Sequence, residues 1–435
     1  MLFFVSILIS VAILSFIFLS AEAQDKPLTL ILLLSTSYYC IGGLWYWTSI
    51  VGGIFTGVHW ENSYLLRSAS ILACSTAMLG MMIWGASKLG KASGLGIEFP
   101  DLKSDKPKIG YLYYFIVTVG LISSFFILSK GTFSESRDPT LRGPLFLIAY
   151  QFADVLVAAI LYRVAIRGYD FQSIGLIAFF VIYGVLVGFR YKLALVGLPL
   201  LLSVAFSPAS NMKKILIAGT VGGCALALFS AMTIFRVKFG APDLTRHVAN
   251  PAQAIMYSIF AETNVLFGMT TIIEANVKVD HLFPFQPIVD TFKEYLPKAL
   301  FPGRETGNYL KPMRIGFLSN EGMKSGTAYP WIGEFCIMFG WAGMVVGPVL
   351  LSGFYLWLKR YMNELKSNKR ALSMGMYVLA TIIGYYHFSR GYFPQISKSY
   401  IFVVLPYIIL ALSTRAPLKR PARPSVRTFA TPRIS

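Results

Sequence analysis

Apolar runs of membrane-crossing length recur along this chain, separated mostly by short polar stretches. They fall at Met1 to about Ala21, then at 27–48, 69–87, 109–129, 143–165, 172–189, 192–207, 214–235, 332–358, 371–388 and 397–413. A helix needs about 20 apolar residues to cross a bilayer, so the pattern predicts an all-α, polytopic transmembrane bundle of about eleven spans. The first run ends in Ala21-Glu22-Ala23, which mimics a signal-peptidase site. It has no positive n-region and exceeds the usual apolar core of about 7–15 residues, so it reads as a retained span. The runs 172–189 and 192–207 are short and nearly contiguous. Arg190-Tyr191-Lys192 between them is costly in mid-bilayer, so they read as a hairpin with its tip at the surface.

One long stretch, 236–331, breaks the pattern. It divides the chain into an N-terminal bundle (1–235), a large extramembrane loop (236–331), late transmembrane helices (332–413) and a basic tail (414–435). The loop is rich in Pro, Gly, aromatics and cations. Long loops in compact chains are usually functional or disordered, and this one has too many aromatics for disorder. Within it, 252–274 alternates apolar and polar positions, as an amphipathic helix would on the membrane surface or capping the bundle.

Composition sharpens the membrane reading. Hydrophobic residues make up 55% and charged residues only 14%, against roughly 25% charged in soluble domains. The net charge of +19 would suggest nucleic acid, but much of it lies in short loops beside apolar runs, where the positive-inside bias accounts for it. The loop 88–108, Lys213-Lys214, the loop after 358 and the Arg-rich tail all fall on one side in the eleven-span arrangement, which is therefore cytoplasmic. The tail reads as a basic end touching anionic lipid. Cys40, Cys74, Cys224 and Cys336 form no CxxC or Cys/His pair, and the four histidines are scattered, so neither a disulfide framework nor a metal site is expected. Walker, GxSxG and HExxH motifs are absent. No cofactor is expected.

Positive charge on the opposite face needs another reason. Arg190 and Lys192 lie at the hairpin tip, Arg236 and Lys238 just past a span, Arg304 and Arg314 in the long loop, and Arg390 past another span. Guanidinium groups bind phosphate through bidentate hydrogen bonds. Gathered at one bilayer surface, they suit a pyrophosphate head whose lipid tail lies between helices. Singly, each would only snorkel to headgroups. Glu334 sits near the start of the run 332–358, where an acid is expensive unless paired or wetted. It would pair with one of these cations, orient a hydroxyl or act as a base. Asp154, inside the run 143–165, reads as a polar contact between helices. Asp290 and Glu294 read as solvated loop acids. Tyr295, Phe301, Tyr309, Tyr329 and Trp331 read as an interfacial aromatic belt, some of them offering faces for sugar rings.

Two short runs carry a resemblance. Pro302-Gly303-Arg304, followed by Tyr329-Pro330-Trp331-Ile332-Gly333-Glu334-Phe335 and then Phe339-Gly340-Trp341-Ala342-Gly343, is similar to the pattern of bacterial oligosaccharide repeat-unit polymerases, the O-antigen (Wzy-type) family. Gly188-Phe189-Arg190 resembles the family's Gly-x-Arg, and Arg390 resembles its late arginine. The likeness is topological over most of the chain and sequence-level only near 285–345 and at these arginines. It implies a GT-C-like glycosyltransferase of the inner membrane, joining undecaprenyl-pyrophosphate-linked oligosaccharides on the periplasmic side without a metal. A chain-length regulator would be a further partner. Arg190, Arg304 and Arg390 would serve the pyrophosphates, with Arg236 or Lys238 helping. Glu334 would serve the acceptor hydroxyl or hold an arginine. Lys192, Arg314, Tyr309 and Tyr329 would line the substrate site. Two alternatives remain: an O-antigen ligase, sharing the leaving group but expected to carry a functional histidine in the outer loop, and a lipid-linked oligosaccharide flippase, expected to carry charge through the bundle depth.

Overall fold

The computed structural model describes residues 2–45, 62–89, 109–130, 144–187, 190–239, 256, 259–260, 263, 265–278, 284–295, 329–363, 369–389 and 391–413. Among them every regular element is helical. The first long helices are α1 (Leu2–Ser20), α2 (Lys26–Thr36, continued through a π turn to Trp45), α3 (Asn62–Leu89) and α4 (Tyr111–Ser129). Next come α5 (Pro144–Phe152), α6 (Val155–Arg167), α7 (Phe171–Val187), α8 (Arg190–Ala205) and α9 (Asn211–Phe239). Beyond these lie α10 (Val265–Lys278), α11 (Gln286–Tyr295), α12 (Trp331–Phe339) and α13 (Gly343–Asn363). The last are α14 (Lys369–Thr381, continued through a π turn to Ser389), α15 (Phe393–Ser399) and, after another π turn, α16 (Leu405–Ser413).

Eight helical segments among the described residues are long and apolar enough to cross a membrane, and α7 and α8 are shorter apolar helices. The chain is thus a multi-pass helical membrane protein in its architecture. The 19 residues of α1, at about 1.5 Å each, reach about 28 Å, close to the thickness of a bilayer core. Helices α7 and α8 are separated only by residues 188–189, as the hairpin reading expects.

Burial sorts the helices. Nearly all of α14 and α6 is enclosed, while α1, α4 and the described face of α9 expose many apolar side chains. In lipid there is no hydrophobic drive between spans, so close packing and small polar contacts hold them together. The α1–α3 seam shows this. Ser6 and Ser70 share a hydrogen bond of 2.5 Å, and Gly80 lies under Leu14 and Ile17.

Three expectations are corrected here. The run 332–358 is not one helix. Gly340 takes a left-handed φ of 56°, which ends α12, and a short turn over Gly340–Ala342 reverses the chain. A β-carbon on Gly343 would collide with the Phe335 carbonyl, and one on Gly347 would press on the Phe335 ring and Ile332. Helix α12 therefore folds back on α13, and glycines four apart let the backbones meet. The run 143–165 is also broken, between α5 and α6. At Ala153-Asp154 the backbone bonds tighten, with Leu156 N–H to Ala153 O (3.3 Å) and Val157 N–H to Asp154 O (3.1 Å). Finally, the described part of 252–274 is not a surface helix. Val265, Leu266, Met269, Ile272 and Ile273 of α10 are buried, wedged between α3 and α12.

Candidate functional site

Helix α12 is the most enclosed short element: Trp331 through Met338 are all buried. Pro330 enters it in extended conformation, and Gly333 N–H returns to Pro330 O at 2.8 Å, closing the first turn. Gly333 also lies against Ile272 and Met269 of α10, where a side chain would not fit. Glu334 is fully enclosed at the centre of this packing. The Tyr329 hydroxyl donates to Glu334 Oε1 at 3.0 Å, and the Phe393 N–H reaches the same oxygen at 3.4 Å. Gly391 N–H donates to Tyr329 O at 2.8 Å. A β-carbon on Gly391 would collide with the Tyr329 and Pro330 backbone. The late motif and the connection between α14 and α15 are thus in backbone contact, although 59 residues separate Glu334 from Phe393.

Phe335 meets Phe393 edge-on at 5.3 Å and Trp331 at 6.0 Å. Tyr329 and Trp331 are therefore core residues, not members of an interfacial belt. The Trp331 Nε1–H has no hydrogen-bond partner among the described residues. At the far end of α14, just past its π turn, His387 is buried and shares a 2.9 Å hydrogen bond with the hydroxyl of Tyr400, which opens the π turn between α15 and α16. π turns inside helices often mark functional sites.

The described residues place the expected cations unevenly. Lys192 is not at a solvent-facing tip. It is fully buried, donating to Asp154 Oδ1 at 2.7 Å and Tyr150 O at 3.2 Å, with its ammonium 3.5 Å from the Tyr150 ring centroid. Burial of an ammonium demands such a partner, and the break before α6 presents the Asp154 carboxylate to it. The interhelical role read for Asp154 is what the geometry shows. Arg190 opens α8, and Arg236 and Lys238 lie near the end of α9; their side chains lie outside the described set. Arg304, Tyr309, Arg314 and Arg390 also lie outside the described residues. The neighbours of position 390, Ser389 and Gly391, are both buried, and Gly391 rests on the entry to α12.

Asp290 is a correction. It is fully buried on α11, accepting from Gln286 Nε2 at 2.7 Å, with Lys293 Nζ at 3.8 Å.

Sequence reading missed a third buried acid, beside Glu334 and Asp290. Asp25, in the turn before α2, accepts from the Tyr355 hydroxyl (2.7 Å), Ser87 (2.6 Å) and the Lys359 ammonium (2.8 and 2.9 Å). This links the α1–α2 turn to the ends of α3 and α13. No spacing rule pairs residues 334 apart. The connections after α3 and α13, both read as cytoplasmic, do begin at the same end of the bundle. At the turn between α6 and α7, Arg163 grips Asp170 with two hydrogen bonds (3.0 and 2.5 Å), and Ser173 adds its hydroxyl and N–H. The Arg163 contact, seconded by Ser173, holds the Asp170 carboxyl well below the usual carboxylate range.

No family model, characterised protein or solved structure matches this chain.

Proposed function

We propose that the chain is an oligosaccharide repeat-unit polymerase, a membrane glycosyltransferase joining polyprenyl-pyrophosphate-linked glycans at the outer face of the membrane it spans. One observation carries the reading furthest. The run Tyr329–Glu334, which bears the resemblance, is in direct contact with Gly391 and Phe393, which follow Arg390. The enclosed acid of the late motif thus contacts the segment that directly follows position 390.

In this reading a hydroxyl of one lipid-linked unit attacks the anomeric carbon of the chain held on another. The carbon–oxygen bond to pyrophosphate breaks, the lipid pyrophosphate leaves with the electron pair, and the hydroxyl's proton passes to the departing pyrophosphate. Arginines 190, 304 and 390 stabilise the developing negative charge, as preorganised donors do best where water is excluded. Glu334, oriented by Tyr329, holds the acceptor hydroxyl or an arginine. Seating both lipid substrates side by side supplies orientation. Lys192 is better assigned to holding α8 against Asp154 than to binding substrate.

The test is the surface glycan of cells carrying Arg304→Ala, Arg390→Ala or Glu334→Gln. The expected product is a single repeat unit. A normal polymer ladder from all three variants, at wild-type protein level, would overturn the proposal. In a deletion strain, polymer that is made but not joined to its lipid acceptor would point to the ligase alternative.

A further inference from the structure

Helix α11 is built inside-out for water. Its inward face carries Pro287 and the fully buried Asp290. Its outward face carries Ile288, Val289 and Phe292, with Phe292 70% exposed, and Phe285 in the turn just before it is 56% exposed. The spacing 288, 289, 292 is one helical face. A surface helix in water keeps the reverse order, since burying a carboxylate while displaying two phenylalanines is unfavourable on both counts. The arrangement is natural only where the outer medium is apolar.

The surroundings identify that medium. Phe285, held in a left-handed conformation (φ 58°), meets Phe339 edge-on at 5.6 Å, beside the turn that joins α12 to α13. On that turn Trp341 is partly exposed, with the Arg67 guanidinium 4.8 Å from its ring centroid. Trp with Arg is the pairing expected at headgroup depth. Directly beyond it, Val345 and Val349 of α13 display the apolar surface of a membrane-crossing helix. The outward face of α11 therefore sits close to a lipid-facing surface.

We propose that α11, although it belongs to the long stretch between spans, lies in the lipid interface with its Phe285–Phe292 face in the acyl boundary. It thereby forms the membrane-side wall of the α12–α15 junction, since it packs on both α12 and α15. The inference is independent of the polymerase reading, because neither measurement below involves a glycan.

Single cysteines at Val289, Phe292 and Ser210 are introduced into a chain whose four native cysteines are Ala. Each is labelled with bimane in phosphatidylcholine vesicles that contain lipid with a nitroxide high on the acyl chain. Quenching at positions 289 and 292 is expected to exceed that at the polar turn position 210 several-fold, with little reaction of either with a membrane-impermeant maleimide. In parallel, the unaltered chain is irradiated with an acyl-chain diazirine phosphatidylcholine, and lipid adducts are expected on the peptide spanning 285–292. Ready reaction with the impermeant reagent and no quenching would overturn the proposal. So would shielding from both reagent and lipid, which would mean that a protein surface, such as a second copy of the chain, covers this face.

Discussion

Asp25 and Glu334 are both enclosed acids, and α13 connects their neighbourhoods, yet the backbone around them differs. Asp25 sits where regular helices end. Its partners are side chains of α3 and α13, including the Lys359 ammonium, and the cluster fastens three segments together. Glu334 sits where helices are interrupted. Its contacts include the Tyr329 phenol and the Phe393 backbone N–H, in segments flanked by the Gly340 reversal and the π turns at 382–386 and 400–404. The Asp25 end is a structural clasp. The Glu334 end departs from regular helix, which membrane proteins tolerate only where protein or a cavity satisfies the backbone.

The sharpest way to break this contrast is at Gly391. Gly391→Val should drive the α14–α15 connection off α12, with loss of monodisperse protein in detergent and of any polymer. Normal yield and a normal ladder would mean that the close approach does not matter. Glu334→Gln sharpens the same point from the other side. The amide oxygen can still accept from Tyr329 and Phe393, so the fold should survive and thermal unfolding should stay near wild type while the glycan ladder is lost.

Next in size is Lys359→Met, which leaves Asp25 buried without its countercharge and should cost about 3–5 kcal/mol. Pairing it with Asp25→Asn should recover most of that loss in a thermal-unfolding cycle, and at low temperature the ladder should be unchanged in both. An equal loss of ladder in the Asp25 and Glu334 variants would erase the distinction between the two ends.

Smallest is Asp170→Asn, which removes charge-assisted bonds worth about 1–2 kcal/mol. The sign with pH follows from linkage. Arg163 depresses the folded carboxyl, so its stabilisation is present above the unfolded value of about pH 4 and fades as pH falls toward the depressed one. Stability curves of wild type and D170N should therefore converge below about pH 4. Parallel curves throughout that range would refute the assignment.

Legibility in the sequence followed the range of the forces involved. The apolar runs showed a multi-pass helical architecture, because membrane thickness sets the length of a crossing helix; among the described residues eight helical segments reach that length, against about eleven expected. The break between α7 and α8 was readable because the charges of Arg190-Tyr191-Lys192 interrupt the apolar run there. Glu334 stood out because an acid at the head of an apolar run is costly. Lys192 was misplaced to a tip because hydropathy charges a buried ammonium its full cost and cannot see Asp154 waiting 38 residues away. Asp290 and Trp331 were placed in water and at the interface for the same reason, as exposure depends on neighbours from other segments. The fold-back of α12 was hidden, because a turn of three residues hardly alters mean hydropathy over a window of span length.

What the chain determined by itself was its architecture: composition and run length lead to a multi-pass bundle of helices suited to a bilayer. What only the tertiary structure decided was the pairing. Asp25 with Lys359, Asp154 with Lys192, and Tyr329 with Gly391 are choices made by helix packing. A local pattern constrains which face of a helix is apolar, but contact between distant segments depends on how every intervening helix is stacked.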